Sequence, residues 1–281
     1  MQRETMARYI VFTDLDGTLL DHQTYSYTDA LPGLALLKKE AIPLVFCSSK
    51  TRAEQEVLRR ELDIHAPFIV EDGGAIYIEK DYFSFPIASA IDNGVYQVIP
   101  IGTPYAKIRE VLSQISQKLS LSIRGMGDAC VDEIADLTGL SRASASRAKD
   151  REYEETILSP LSPDDARRLK ERLMPLGLTL SRGGRFYSVK GQHNKGEAAM
   201  RLIRIFAREN RRLITVGIGD SPNDLPLLSV VYIPLLVQRP DKTWQKLRIS
   251  GVKNVEGVGP VGWTCAMKQL FLKKRTKWTS V

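Results

Sequence analysis

Cysteine is scarce and scattered in this 281-residue chain: Cys47, Cys130 and Cys265 are odd in number, far apart and in no C-x-x-C arrangement. That pattern excludes a disulfide framework and a zinc site and leaves the three as small buried apolar residues. Histidine is equally rare, and His22, His65 and His193 have no metal-ligand spacing, so they read as surface or packing residues. Long hydrophobic runs are missing too. "YIVF" and "VVYIPLLV" fall well short of the ~20 residues that a membrane-spanning helix needs. The N-terminal "MQRETMAR" has neither the apolar core nor the cleavage site of a secretion signal. A cytoplasmic protein with no membrane partner is the expectation. No internal repeat or low-complexity segment is visible, and 43% hydrophobic with 26% charged residues is the balance of a soluble globular chain, not a disordered one.

The net charge is +7 and the pI about 9.2, which raises the question of a nucleic-acid partner. Lys273, Lys274, Arg275 and Lys277 account for four of those charges in the C-terminal "LKKRTKW". No zinc-finger spacing, aromatic RNA-binding strand or basic heptad accompanies them, so they read as a solvated helix end and frayed tail. An anionic small-molecule substrate would use the modest positive field equally well.

The first third alternates strand and helix signals. "YIVFTDL" is an apolar run of the buried parallel kind, "ALPGLALLKKE" has helical spacing, and "IPLVFCSS" is a second buried strand. "TRAEQEVLRREL" reads as an amphipathic helix capped by Thr51 or Ser49, and "FIVEDGGAIYI" as two strands joined at Gly-Gly. The last third repeats the pattern with the helix "KGEAAMRLIRIFARE", the strand "RLITVGIGD" and the short helix "NDLPLLSV". Strands alternating with helices predict an α/β doubly wound parallel sheet. Between the two halves the texture changes to polar helices and extended pieces such as "LTLSRG" and "RFYSVKG", with Ser162-Pro163 opening one helix. The expected organisation is a sheet domain from residues 1–83 and 189–281, with an inserted α+β domain over 84–188.

Chemistry gathers at strand ends. Asp14 closes the first buried strand, where an unpaired carboxylate would be costly without a cation or several N–H donors. Asp16 stands two residues on, and the two carboxylates are expected to have separate roles. Gly17 and Thr18 then turn the chain and expose amides that can receive an anion. "VGIGDSPNDLPLL" places Asp220 after another buried strand with Asp224 four residues on, and such an oxygen-rich set suits Mg²⁺. Ser48 at the end of the second strand and Lys195 before a helix add a hydroxyl and an ammonium. Together these groups meet the needs of phosphoryl transfer: neutralisation of the non-bridging oxygens and of the nucleophile.

"DLDGT", "CSS", "NKG" and "GDSPND", in that order, resemble motifs I to IV of the haloacid dehalogenase superfamily of Mg²⁺-dependent phosphotransferases. The large insertion is similar to its C2B-type cap, as in Cof-like phosphatases. "FTDLDGTLLD", "SSKTRAE", "GMGD", "VDEIADLTGLS", "REYEE" and "GGRFYSVKG" further resemble the mannosyl-3-phosphoglycerate phosphatases, which release mannosylglycerate, a compatible solute, and phosphate. The resemblance implies that Asp14 attacks phosphorus to form an aspartyl-phosphate, while Asp16 protonates the leaving alkoxide and later activates water. It implies a Mg²⁺ site built from Asp14, the Asp16 carbonyl, Asp220 and Asp224, with Ser221 and Asn223 as orienters. Ser48 and Lys195 would hold phosphate oxygens, with Ser49 and Lys50 beside them. For the glycerate carboxylate the candidates are Arg151, Arg185 and Arg52, with Arg124 behind them; for sugar hydroxyls they are Asp128, Glu154 and Asp72. Asp72 departs from the usual Glu-Asn-Gly-Gly of that family. A phosphatase for another sugar phosphate, or a non-catalytic binder of anions or nucleic acid, is the alternative.

Overall fold

The computed structural model describes residues 8–183 and 185–272. Residues 1–7, with most of "MQRETMAR", and the basic tail with Lys273, Lys274, Arg275 and Lys277 lie outside the described residues.

The chain begins with β1 (Arg8–Thr13), α1 (Leu31–Lys39), β2 (Leu44–Phe46) and α2 (Arg52–Glu61). Ile10, Val11 and Phe12 of β1 are all fully buried, because the strand is covered on both faces. β3 (Phe68–Val70), β4 (Ala75–Glu79), β5 (Ile91–Asp92) and β6 (Tyr96–Pro100) follow. The inserted region holds α3 (Tyr105–Leu119), α4 (Val131–Thr138), α5 (Arg142–Lys149), β7 (Glu154–Ile157), α6 (Pro163–Leu173), β8 (Leu178–Gly183) and β9 (Phe186–Gly191). The chain then returns through α7 (Lys195–Ala207), β10 (Leu213–Gly219), α8 (Leu225–Leu228), β11 (Ile233–Gln238), β12 (Lys253–Val258) and α9 (Pro260–Phe271).

The central sheet is parallel, in the order β12-β11-β10-β1-β2. On one face α9 and α1 pack together; Trp263 is fully buried and donates its indole N–H to Thr13 Oγ1 at 3.0 Å. On the other face Ala198, Ala199, Leu202 and Phe206 of α7 cluster with Ile10 and Phe12. The expected doubly wound α/β architecture is therefore present. A parallel bridge between Cys47 and Ile69 carries the sheet on to β3, which begins the antiparallel order β3-β4-β6-β5. Because β6 pairs with β4 along its whole length, this sheet region runs to Pro100, beyond the boundary expected at residue 83.

The cap is a three-stranded antiparallel sheet, β7-β9-β8, under α3 and α6, with Ile108, Leu112, Leu169 and Val189 at its centre. Its last strand ends at Gly191, three residues past the expected limit. The two connections to the sheet domain run in contact: a side chain at Gly102 would lie 2.8 Å from the His193 ring. α2 opens with a full capping box in which Thr51 and Glu54 exchange backbone bonds. The Thr51 hydroxyl also donates to the Arg147 carbonyl of the cap at 2.8 Å. Cys47 is buried as expected; Cys265 is half-buried, and Cys130 is exposed because its sulfur caps α4. Among the described residues no helix is long and apolar enough to cross a membrane.

Candidate active site

The sheet register assembles the acidic residues. β1 lies between β10 and β2, with Thr13 opposite Ile218, so the loops that leave β1 and β10 emerge side by side. The helices from these strands diverge at this point, which opens the crevice where ligands bind in such sheets. Gly17, at φ +79°, lets the first loop fold back so closely that a side chain there would sit 2.9 Å from Asp220 Oδ2.

Asp14, Asp220 and Asp224 each present a carboxylate oxygen, and these atoms lie within 4.8 Å of one another. Lys195, only 1% exposed, stands between two of them, donating to Asp14 Oδ1 at 2.6 Å and to Asp224 Oδ1 at 2.7 Å. The other Asp224 oxygen accepts the backbone N–H groups of Asp220 and Ser221 at 3.0 and 3.1 Å and the Ser221 hydroxyl at 3.2 Å. Asp224 thus fixes the loop that presents Asp220, and Thr18 Oγ1 reaches Asp220 Oδ1 at 3.4 Å.

One ammonium faces three buried carboxylates. Burial, then the neighbouring Asp224 charge, holds the Asp14 carboxyl well above the usual carboxylate range despite Lys195. The same two causes push Asp220 up to about 6. The Lys195 ammonium is held well above its ordinary range by Asp14 and Asp224, which outweigh its burial. An all-oxygen donor set with negative charge left over is what a hard divalent cation matches.

Asp14 and Asp16 lie beyond the end of β1 at Thr13 and have separate partners. Lys50 Nζ pairs with Asp16 Oδ2 at 3.0 Å and with Glu54 at 3.6 Å, while buried Asp16 Oδ1 has no partner among the described residues. Ser48 is buried beside this group, its carbonyl accepting from the Asp72 N–H at 3.0 Å, and Ser49 follows it half-buried on the same loop.

The cap candidates divide. Arg151 is almost wholly buried, 3.4 Å from Glu154, and among the described residues its Nε and Nη1 make no hydrogen bond and Glu154 Oε2 is likewise unpartnered. Both face an interior charged group that includes Lys190 and Asp72. Arg52 instead ties α2 to the cap through Glu152 at 3.1 Å and Asp150 at 3.4 Å. It lines an open cleft of about 800 Å³, with Glu56 and Tyr77, that contains none of the acidic cluster. Arg185 is exposed at the β8–β9 turn, donating to the Thr138 carbonyl at 2.8 Å. Five residues of extended chain separate it from Lys190, about 17 Å at ~3.4 Å per residue. Arg124 is bound to Glu133, and Asp128 to Arg109. Asp72 is no open acceptor either, since both its oxygens already bind protein donors: Lys190 Nζ and Asn223 Nδ2, each at 2.7 Å.

Sequence reasoning missed Lys190 and Glu71. The buried Glu71 carboxylate accepts the N–H groups of Glu152 and Tyr153 at 2.9 and 2.8 Å, and burial pushes its pKa up to about 7. His193, expected as surface or packing, is buried with Nε2 3.1 Å from the Glu71 carbonyl. Only the position of Glu71 beside Asp72 could have hinted at its part.

Comparison with known proteins places this arrangement. Residues 11–91 match the family model of haloacid dehalogenase-like hydrolases, the class that the fold and the acidic cluster define. A solved sugar phosphatase of haloacid dehalogenase subclass IIB superposes with a TM-score of 0.62 at 15% identity, covering 93% of this chain and 98% of the other. The glucosyl-3-phosphoglycerate/mannosyl-3-phosphoglycerate phosphatase of Methanococcoides burtonii is 44% identical over 95% of this chain and 98% of its own length. The mannosyl-3-phosphoglycerate phosphatase of Pyrococcus furiosus is 37% identical over 81% and 90%. The chain belongs to this family of glycosyl-3-phosphoglycerate phosphatases.

Proposed function

We propose that the protein is a cytoplasmic, Mg²⁺-dependent phosphatase that hydrolyses mannosyl- or glucosyl-3-phosphoglycerate to the glycosylglycerate and phosphate. The observation that carries this reading is Asp14, buried at the crevice and held by Lys195 against Asp220 and Asp224. Asp14, the Asp16 carbonyl, Asp220 and Asp224 would hold Mg²⁺. When bound, Mg²⁺ supplies the positive charge that keeps these carboxylates ionised and offsets the charge on phosphate.

An Asp14 oxygen attacks phosphorus, and the bond from phosphorus to the glycerate oxygen breaks as that oxygen takes the Asp16 proton. Asp16 then removes a proton from water, whose oxygen attacks phosphorus and breaks the bond to Asp14, releasing inorganic phosphate. The free Asp16 Oδ1 is the atom available for both transfers. Lys195 and Ser48 hold phosphate oxygens, with Ser49 and Lys50 beside them, and Asn223 and Ser221 orient the loop that carries Asp220. In the cap, the two unused Arg151 donors suit the substrate carboxylate, and Glu154 Oε2 suits a sugar hydroxyl.

Phosphate release from mannosyl- and glucosyl-3-phosphoglycerate, 3-phosphoglycerate and simple hexose phosphates tests the reading. At least a hundredfold higher kcat/KM for the glycosylated phosphoglycerates is expected. Equal or faster turnover of a hexose phosphate contradicts it.

A further inference from the structure

The turn at Glu71-Asp72 is strained and unusually well connected. Both residues have positive φ, +45° and +57°, a conformation that side-chain-bearing residues rarely hold unless their surroundings over-determine it. The surroundings do. The Asp72 N–H is bound to the Ser48 carbonyl, and the Glu71 carboxylate to the cap backbone at Glu152 and Tyr153. One Asp72 oxygen takes Lys190 from the last cap strand; the other takes Asn223, in the turn between Asp220 and Asp224. A single buried carboxylate is thus shared between the cap and the loop that presents the acidic cluster.

We infer that Asp72 is a positioning residue that couples the placement of the cap to the cation affinity of the acidic cluster; this rests on the metal reading above. The chemistry of the turn supports a directed link. An amide at position 72 could keep a hydrogen bond to Asn223 and to Lys190, because the Asn223 amide can turn over, but it carries no charge to offset the half-buried Lys190 ammonium. Lys190 would lose its ion-pair partner, and the tie between the cap strand and the loop would weaken. Because linkage is reciprocal, a cation that orders the loop must also tighten the cap. A contact that only supports folding makes no such demand.

The test uses metal-free full-length protein and Mg²⁺ alone. Calorimetric Mg²⁺ titration and hydrogen exchange over residues 147–153 and 186–191 are measured for wild type, Asp72→Asn, Lys190→Met and the double variant. In wild type, Mg²⁺ slows exchange in both segments at least threefold. In Asp72→Asn and Lys190→Met, Mg²⁺ binds five- to twentyfold more weakly and the slowing disappears. The double variant removes both charges, so its thermal stability returns towards wild type while the coupling stays lost. Mg²⁺ binding to wild type without any slowing overturns the coupling alone, as does an Asp72→Asn variant with unchanged affinity and full slowing. Absence of Mg²⁺ binding to wild type overturns the metal reading and the coupling together.

Discussion

Replacing Lys195 with methionine removes the one ammonium between two buried carboxylates while keeping most of the side chain's volume. Lys195 is 1% exposed and bonds Asp14 and Asp224 at 2.6 and 2.7 Å. Breaking a buried ion pair from one side costs about 3–5 kcal/mol, because the remaining charge has no compensation. At roughly 2–4 °C per kcal/mol for a domain of this size, metal-free Lys195→Met should melt on the order of 10 °C below wild type at pH 8. The sign of the pH effect follows from the carboxylates, whose proton affinity burial and mutual repulsion already raise. Without the ammonium they hold protons to still higher pH. The variant's deficit is therefore small near pH 5, where they are protonated, and grows as pH rises. Mg²⁺ should stabilise the variant more than wild type, since it meets charge that Lys195 no longer offsets. Differential scanning calorimetry at pH 5 and 8, with and without Mg²⁺, measures all four conditions. A metal-free melting point within about 2 °C of wild type at pH 8, or equal Mg²⁺ stabilisation of both proteins, refutes the reasoning.

Asp16→Asn should lower kcat by about 10²–10⁴ with little change in Mg²⁺ affinity, read from steady-state kinetics and calorimetry. Arg151→Ala should raise KM for a glycosylated phosphoglycerate by roughly ten- to a hundredfold, the loss of a charged hydrogen bond. Arg185→Ala should leave KM within about twofold, because that side chain serves the Thr138 carbonyl. Glu71 keeps its proton up to about 7, against an ordinary value of 4.5. Its contribution to stability is therefore complete below 4.5 and lost as pH rises through 7, on the order of 3 kcal/mol; denaturant titrations across that window should show a flatter profile for Glu71→Gln. Mg²⁺ binding must displace the proton that Asp220 holds up to about 6, so affinity should fall up to about tenfold per pH unit below that value.

The elements that carry the site could be read from the chain because two-sided burial leaves a plain mark. β1 and β10 are continuous apolar runs, and an acid placed at the end of each stands out against them. α9 leaves no such mark: eight of its twelve residues are buried, so no polar stripe sets a helical period. β12 exposes Lys253, Asn254 and Glu256 at the sheet edge, so no continuous apolar run marks it. Two-residue β5 leaves no mark either: it is wholly exposed, and only its pairing with β6 assigns it to the sheet. Among forty basic residues, Arg151 and Arg185 look alike in sequence. Burial beside Glu154 separates one from the other, and that is a property of the tertiary fold. Lys190 is set apart from the other lysines by the turn at Asp72 that receives it, a contact between residues far apart in sequence.

The central claim is that Asp14 bonds to phosphorus during turnover. Wild-type enzyme mixed with Mg²⁺ and mannosyl-3-phosphoglycerate, quenched in acid within the first turnover and reduced with borohydride, should yield homoserine at position 14 in the peptide containing "YIVFTDLDGTLL". Unmodified Asp14 in an enzyme that releases phosphate under the same conditions, or reduction at a different carboxylate, contradicts the account.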